Sequence, residues 1–204
     1  MTTRVEIIVY DGFDELDAVG PYEVFEMAEE QGADLDTSLV TLLETDRITA
    51  AHGLRLEPEG TLSRDDPADV VVVPGGGWTD RRPVGARAEA ERGAIPEALR
   101  DLHAAGATVA GVCTGGMLLA RAGLTEGRPS VTHRGALDDL RESGADVVEA
   151  RVVDDGDVVT AGGITSGIDL ALHLVERVAG EAVAEDVAAR MEYDRREDVI
   201  EPED

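Results

Sequence analysis

The single cysteine of the chain, Cys113, stands in a short stretch whose residue types suit a nucleophile. An apolar run at residues 107–112 precedes it, and an apolar, helix-forming run at residues 117–122 follows. Small residues separate the two runs, as a sharp turn from a strand into a helix requires. Such a turn holds a nucleophile above the end of a sheet, where free N–H groups favour a thiolate. We therefore interpret Cys113 as a reactive thiol, the alternative being a buried structural cysteine.

A cysteine nucleophile needs a group that handles protons and N–H donors that stabilise the developing charge. Asp17 follows the first predicted strand and can supply the first, since like-charge repulsion beside a thiolate retains its proton. Glycine pairs at Gly75 and Gly76, and at Gly162 and Gly163, follow later strands and can supply the second. For Asp17 the alternative is a helix cap.

One histidine, His133, also follows a predicted strand. It is either a pocket residue or the first residue of a helix. The other three histidines are predicted to be structural or superficial, and a chain with one cysteine and scattered histidines offers no metal site.

The chain is strongly acidic, with 44 Asp and Glu residues against 18 basic ones and a formal net charge of -26. Every basic residue is arginine. Such a surface repels nucleic acid and anionic membranes, which excludes both as partners. Acidity spread over a whole globular chain indicates adaptation to a high-salt cytoplasm, where salt screens the self-repulsion.

Length and composition fit one folded domain covering residues 1–204, since 43% of the 204 residues are hydrophobic. A single cysteine excludes an internal disulfide. Neither a signal peptide nor a membrane-spanning apolar run is evident, so we expect a soluble, cytoplasmic protein.

Strand and helix patterns alternate along the chain, which predicts one doubly wound α/β sandwich with a mostly parallel sheet and helices on both faces. The stretch at residues 78–93 is predicted to be a mobile or partly helical loop, and the acidic tail at residues 194–204 to fray. Strands are predicted at residues 4–10, 37–43, 68–73, 107–112 and 129–132. A short strand or hairpin is predicted within 45–63, and a hairpin across 147–153 and 158–160. Helices are predicted at residues 17–30, 95–105, 117–122, 133–143, from 165 or 166 to 179, and 181–193.

Four motifs in order resemble the ThiJ/PfpI (DJ-one) superfamily, which is similar to class I glutamine amidotransferases. They are LDAVGP at residues 16–21, VPGG at 73–76, AGVCTG at 110–115 and AGGITSGID at 161–169. The resemblance extends from about residue 5 to about residue 193. The first and last motifs look most like the isonitrile hydratase branch, which in turn resembles the N-terminal domain of certain AraC-type regulators.

The resemblance implies a flavodoxin-like sandwich, usually a homodimer, that needs no cofactor. It places Cys113 on the elbow and Asp17 against the sulfur, and it assigns an anion hole to the amides of Gly76 and Thr114. Gly75, His133, Gly162 and Gly163 are then expected near the pocket.

Two departures from the superfamily concern the residue after the nucleophile and the substrate pocket. Thr114 stands where protease-like members carry histidine, and Arg134 follows His133 where an aromatic residue is common in the hydratase branch. A regulator would also require a DNA-binding domain after the sandwich. The resemblance of the first and last motifs to the hydratase branch implies isonitrile hydration of a small-molecule substrate. The Cys113 thiolate would be the nucleophile and Asp17 the proton donor. The alternatives are a glyoxalase or deglycase, an oxidation sensor, and a binding module without turnover.

Overall fold

The computed structural model describes residues 2–196 and 198–201. Its main element is an eight-stranded sheet in the order β12-β10-β11-β7-β6-β1-β2-β5. Two pairs lie outside this sheet, β3 with β4 and β8 with β9. The strands are β1 Thr3–Ile8, β2 Leu35–Thr41, β3 Ile48–Thr49, β4 Arg55–Leu56, β5 Gly60–Thr61, β6 Val70–Val73, β7 Thr108–Val112, β8 Pro129–Ser130, β9 Asp146–Val147, β10 Val152–Asp154, β11 Val158–Ala161 and β12 Val199–Ile200.

The sheet is parallel throughout except between β10 and β11, which form an antiparallel hairpin. The predicted mostly parallel sheet is confirmed. Strands β1, β6, β7 and β11 run in one direction, so their carboxyl ends meet at one edge. The run of four valines in β6 is buried on both faces, as a central parallel strand requires.

The helices form two packed groups, one on each face of the sheet: α1 with α6 and α7, and α2 with α3 and α4. This confirms the doubly wound α/β arrangement. A 3₁₀ turn at Arg134–Ala136 precedes α5. The helices are α1 Glu15–Glu30, α2 Ala86–Arg92, α3 Ala94–Ala104, α4 Gly115–Arg121, α5 Leu137–Glu142, α6 Ser166–Ala179 and α7 Glu181–Arg190.

The tail differs most from the prediction. Strand β12 pairs with β10, so the expected fraying is wrong for residues 199 and 200. Residues 197 and 202–204 lie outside the described residues. The tail forms a strand because the outer edge of β10 would otherwise carry unpaired backbone N–H and C=O groups.

Other predictions shift in detail. The stretch at residues 78–93 is helical in its second half, as α2. The helix expected at 133–143 divides into the 3₁₀ turn and α5, with His133 as the residue before the turn. Neither Thr165 nor Ser166 caps α6 with its side chain, because the Ser166 hydroxyl donates to the Gly163 carbonyl instead.

The acidic residues lie mostly outside the core. Within the described ranges the buried acids are Asp17, Glu89, Asp154 and Asp169. The adaptation to high salt stays a prediction. No helix in the described part of the chain is long and apolar enough to cross a membrane.

Candidate active site

The elbow between β7 and α4 places Cys113 at the carboxyl edge of the sheet. Cys113 has a φ of 55°, a left-handed conformation that L residues with side chains rarely adopt. Its N–H donates to the Ala161 carbonyl of β11 at 3.2 Å. The Thr132 hydroxyl donates to its carbonyl at 2.7 Å. These contacts hold a strained residue in place, which is the geometry predicted for a nucleophile elbow.

Glycines make this turn possible because backbone packs directly against backbone. A Cβ atom at Gly115 would lie 2.1 Å from the Val73 carbonyl oxygen, and one at Gly75 would lie 2.4 Å from the Thr114 nitrogen. The elbow and the loop after β6 can therefore approach closely only when both positions lack side chains. This contact brings the predicted glycine loop at Gly75 and Gly76 to the cysteine.

The carboxyl group of Asp17, on the first turn of α1, lies close enough to the thiol of Cys113 for each group to shift the pKa of the other. Its side chain is fully buried. The Gly75 N–H donates to Oδ2 at 3.0 Å, while Oδ1 has no hydrogen-bond partner among the described residues. Burial, together with the charge of Asp14, raises the pKa of Asp17 well above its usual range. Asp17 does not cap the helix; it is a buried acid that holds its proton beside the thiol.

The thiol does not have the low pKa that the elbow alone predicts. Burial and the Asp17 carboxylate raise the pKa of Cys113 from 9.0 to about 12, against the opposing effect of N–H groups from Ile164 and Thr114. The two acids are therefore coupled: a proton on Asp17 removes its charge and with it one cause of the raised thiol pKa. The charge on either group therefore depends on the protonation of the other.

The donors around the sulfur differ in part from the expected anion hole. The N–H groups of Ile164 and Thr114 both donate to the sulfur. The assignment of an anion hole to the amides of Gly76 and Thr114 stays a prediction. The Gly76 N–H donates to the Thr114 hydroxyl at 2.9 Å, so this predicted donor is already occupied. Ile164 has a φ of 24°, and this turn at the start of the α6 region aims its N–H at the thiol.

The remaining predicted pocket residues lie together beside the elbow. His133 accepts a hydrogen bond from the Gly135 N–H at 3.1 Å through Nδ1, so it caps the 3₁₀ turn. Its ring lies against Gly163, where a Cβ atom would be 2.9 Å from His133 Cδ2. Gly162, Gly163 and Thr132 line one cavity next to this ring. His133 is thus both a turn cap and a neighbour of the pocket.

Sequence reasoning missed Tyr10 and Ile164. The buried Tyr10 hydroxyl donates to the Pro74 carbonyl at 2.5 Å and lies 3.3 Å from that of Gly75. Burial and the charges of Asp17, Glu89 and Cys113 raise its pKa well above the usual value. Tyr10 fixes the loop that supplies the Gly75 N–H to Asp17. A tyrosine at a strand end gives no such signal in the sequence.

Trp78 and the other histidines lie outside this cluster. Trp78 Nε1 donates to Asp139 at 2.6 Å, under the Arg87 guanidinium. His173 contacts Asp154 at 2.6 Å in the core. Across the described ranges, no group of three or more His, Cys, Asp or Glu side chains is arranged to hold a metal ion.

Comparison with known proteins identifies relatives over nearly the full length. The description of the DJ-1/PfpI family matches residues 3–177. An isonitrile hydratase of Pseudomonas putida is 35% identical over 195 residues, which are 95% of this chain and 79% of that protein. A deglycase of Pyrococcus abyssi is 29% identical over 160 residues, covering 78% of this chain and 89% of the relative.

Solved structures share the architecture. A ThiJ/PfpI family protein from Pseudomonas syringae superimposes with a TM-score of 0.83 at 29% identity. The match covers 96% of this chain and 77% of that one.

Proposed function

Because the chain belongs to the DJ-1/PfpI family, we propose that it is a cysteine-dependent enzyme that hydrates an isonitrile to an N-substituted formamide. The observation that carries the proposal is the pair formed by Cys113 and the fully buried Asp17. The pair supplies a nucleophile and a proton donor in direct contact. The similarity to the isonitrile hydratase supports this choice of substrate.

The first step forms a covalent bond to sulfur. The Cys113 thiolate attacks the terminal carbon of R–N≡C, and the Asp17 carboxylic acid transfers its proton to that carbon. The product is a thioimidate, R–N=CH–S–Cys113, with Asp17 now a carboxylate. The unpartnered Oδ1 of Asp17 is the oxygen with no competing hydrogen bond.

The second step consumes one water. Asp17 takes a proton from the water as its oxygen adds to the thioimidate carbon, and this proton passes to nitrogen. The carbon–sulfur bond then breaks, the hydroxyl proton returns to Asp17, and R–NH–CHO leaves. The sulfur departs as a thiolate, stabilised by the N–H groups of Ile164 and Thr114. The enzyme regains its starting protonation state.

The test is turnover of an alkyl isonitrile, with formamide measured by chromatography. We expect the native protein to form formamide, and Cys113→Ala to lose all activity because no nucleophile remains. Cys113→Ser is the matched variant that retains a weak nucleophile and the same shape. Formamide production by Cys113→Ala at the native rate contradicts the proposal.

Deglycase activity is the second candidate, favoured by the similarity to the deglycase of Pyrococcus abyssi. The same thiolate can attack the carbonyl carbon of a reactive aldehyde. Loss of methylglyoxal that depends on Cys113, without turnover of any isonitrile, would select this reading. A thiol that reacts readily with peroxide without turnover of either substrate would select the oxidation sensor.

We also propose a homodimer. Leu16 and Ile164 flank the site and are 37% and 38% exposed, with Ile168 half-buried beside Gly20. Apolar side chains in one patch beside the site are suited to a second copy of the chain. Sedimentation that gives a single 21.5 kDa species overturns this part.

A further inference from the structure

A cavity of about 460 Å³ lies next to the elbow and has no role in the mechanism above. Thr132, Gly162 and Gly163 form its inner wall, and Arg134 and Arg196 also line it. Its size suits the substituent of a small substrate. The chemistry of this cavity therefore bears on which substrate reaches the thiol.

The inner wall is continuous with the groups that hold Cys113. The Thr132 hydroxyl donates to the Cys113 carbonyl at 2.7 Å. Gly163 directly precedes Ile164, whose N–H faces the sulfur. The cavity is therefore separated from the residues that hold the thiol by a single layer of contacts.

The two arginines that line the cavity have no acidic partner among the described residues. Most arginines in the structure pair with an acid, as expected where 44 acidic residues meet 18 basic ones. Arg134 and Arg196 are exposed, and their side chains form no ion pair with any described residue. Both guanidinium groups are available to a ligand.

The other charged groups of the cavity make it close to neutral. Glu149 and Asp198 line it as well, both exposed. Arg151 also lines it, but its Nε is held by the buried Asp169 at 2.5 Å. In a chain with a net charge of -26, a near-neutral cavity with two unpaired arginines is the part of the site most favourable to an anion.

We propose that this cavity receives a carboxylate on the substrate, with Arg134 and Arg196 as the specificity-determining residues. The planar guanidinium matches a carboxylate through two parallel hydrogen bonds, which favours a carboxylate over other anions of similar size. The inference rests on the proposed function for the reacting end, an isonitrile, and adds the class of its substituent. The substrate is then a small isonitrile that carries a carboxylic acid.

The first test needs no turnover. Iodoacetate and iodoacetamide alkylate a thiol by the same displacement of iodide. They differ in one group: iodoacetate carries a charged carboxylate, and iodoacetamide carries a neutral amide. We would measure both alkylation rates at Cys113 by mass spectrometry, at the lowest salt at which the protein remains folded. The ratio of the two rates cancels any change in the thiol itself.

In Arg134→Gln we expect this ratio to fall about threefold, the size of a charge interaction across partly solvated space, and further in the double variant with Arg196→Gln. Arg121→Gln is the matched control, because Arg121 ends α4 and has no ion pair among the described residues. Its ratio stays at the native value. Equal ratios in the native protein and the double variant overturn the inference.

The second test uses turnover of isocyanoacetate against its ethyl ester. We expect the native protein to prefer the acid in kcat/KM, and the double variant to lose that preference. Absence of hydration with both substrates overturns the proposed function, while the alkylation ratio still decides the arginines. Preference for the ester in the native protein overturns the inference and leaves the hydratase intact.

Discussion

Asp17 and Asp154 are both buried acids at opposite parts of the molecule, yet their surroundings differ in every respect. Asp154 accepts hydrogen bonds from the Gly156 N–H at 2.8 Å and from Arg177 at 3.1 Å, and contacts His173 at 2.6 Å. Asp17 accepts one hydrogen bond, from Gly75, and Oδ1 has no partner among the described residues.

The pKa values move in opposite directions as a result. Burial alone raises the pKa of Asp154, but the His173 hydrogen bond, the Gly156 N–H and the Arg177 charge together lower it. For Asp17, burial and Asp14 prevail and its pKa rises. A buried acid whose partners are complete stabilises the fold. A buried acid with a missing partner, in contact with a nucleophile, is available for chemistry.

Substitution of Asp17 should give the largest effect on activity. We expect Asp17→Asn to lower kcat about 10²–10⁴-fold, the usual contribution of a general acid, because the amide cannot transfer a proton. The measurement is the steady-state rate with the best isonitrile. Asp14→Asn removes a carboxylate charge near the pair but leaves the acidic proton of Asp17 in place, and its loss of kcat should stay below about tenfold. Equal losses in both variants would mean that charge, and not proton transfer, is what matters.

Substitution of Asp154 should act on stability instead. We expect Asp154→Asn to lower the free energy of unfolding by about 3 kcal/mol, because His173 and Arg177 are left without their buried anion. Urea denaturation of the native and variant proteins measures this difference. Asp138→Asn removes an exposed partner of Arg141 and should leave the midpoint unchanged. If Asp154→Asn were as stable as the native protein, Asp154 would not stabilise the fold, and its contrast with Asp17 would disappear.

The sequence predicts that Asp17 lies beside Cys113 and handles a proton, but it gives no signal for Asp154. The apolar runs and glycine stops fix the parallel sheet, and thereby bring residues 17, 75 and 113 to one edge. The orientation of single N–H groups depends on the turns: Ile164 faces the thiol because of its φ of 24°, while the Gly76 N–H is taken by Thr114. Such orientations come from tertiary packing, which residue type alone does not report.

The same limit explains why the sequence predicts the wrong direction for the pKa of the Cys113 thiol. A helix N-terminus predicts a low thiol pKa, but Cys113 is 5% exposed and faces a carboxyl group, and both raise the pKa. The paired strand at the C-terminal tail was also missed, because two β residues in an acidic segment give no periodic pattern.

The pH dependence of stability should separate the two acids with opposite signs. Because the pKa of Asp17 is raised on folding, its stabilising contribution is complete below the unfolded pKa near 4 and is lost as pH rises toward the folded value. The free energy of unfolding of Asp17→Asn, relative to the native protein, should therefore increase with pH by up to about 1.4 kcal/mol per unit. For Asp154 the folded pKa is lowered, so its contribution is present at neutral pH and is lost as pH falls through the folded value. The deficit of Asp154→Asn should accordingly shrink in acid. Urea denaturation from pH 4 upward measures the slope for Asp17, and urea denaturation below pH 4 measures the slope for Asp154. Slopes of equal sign would show that the two acids are held in the same way.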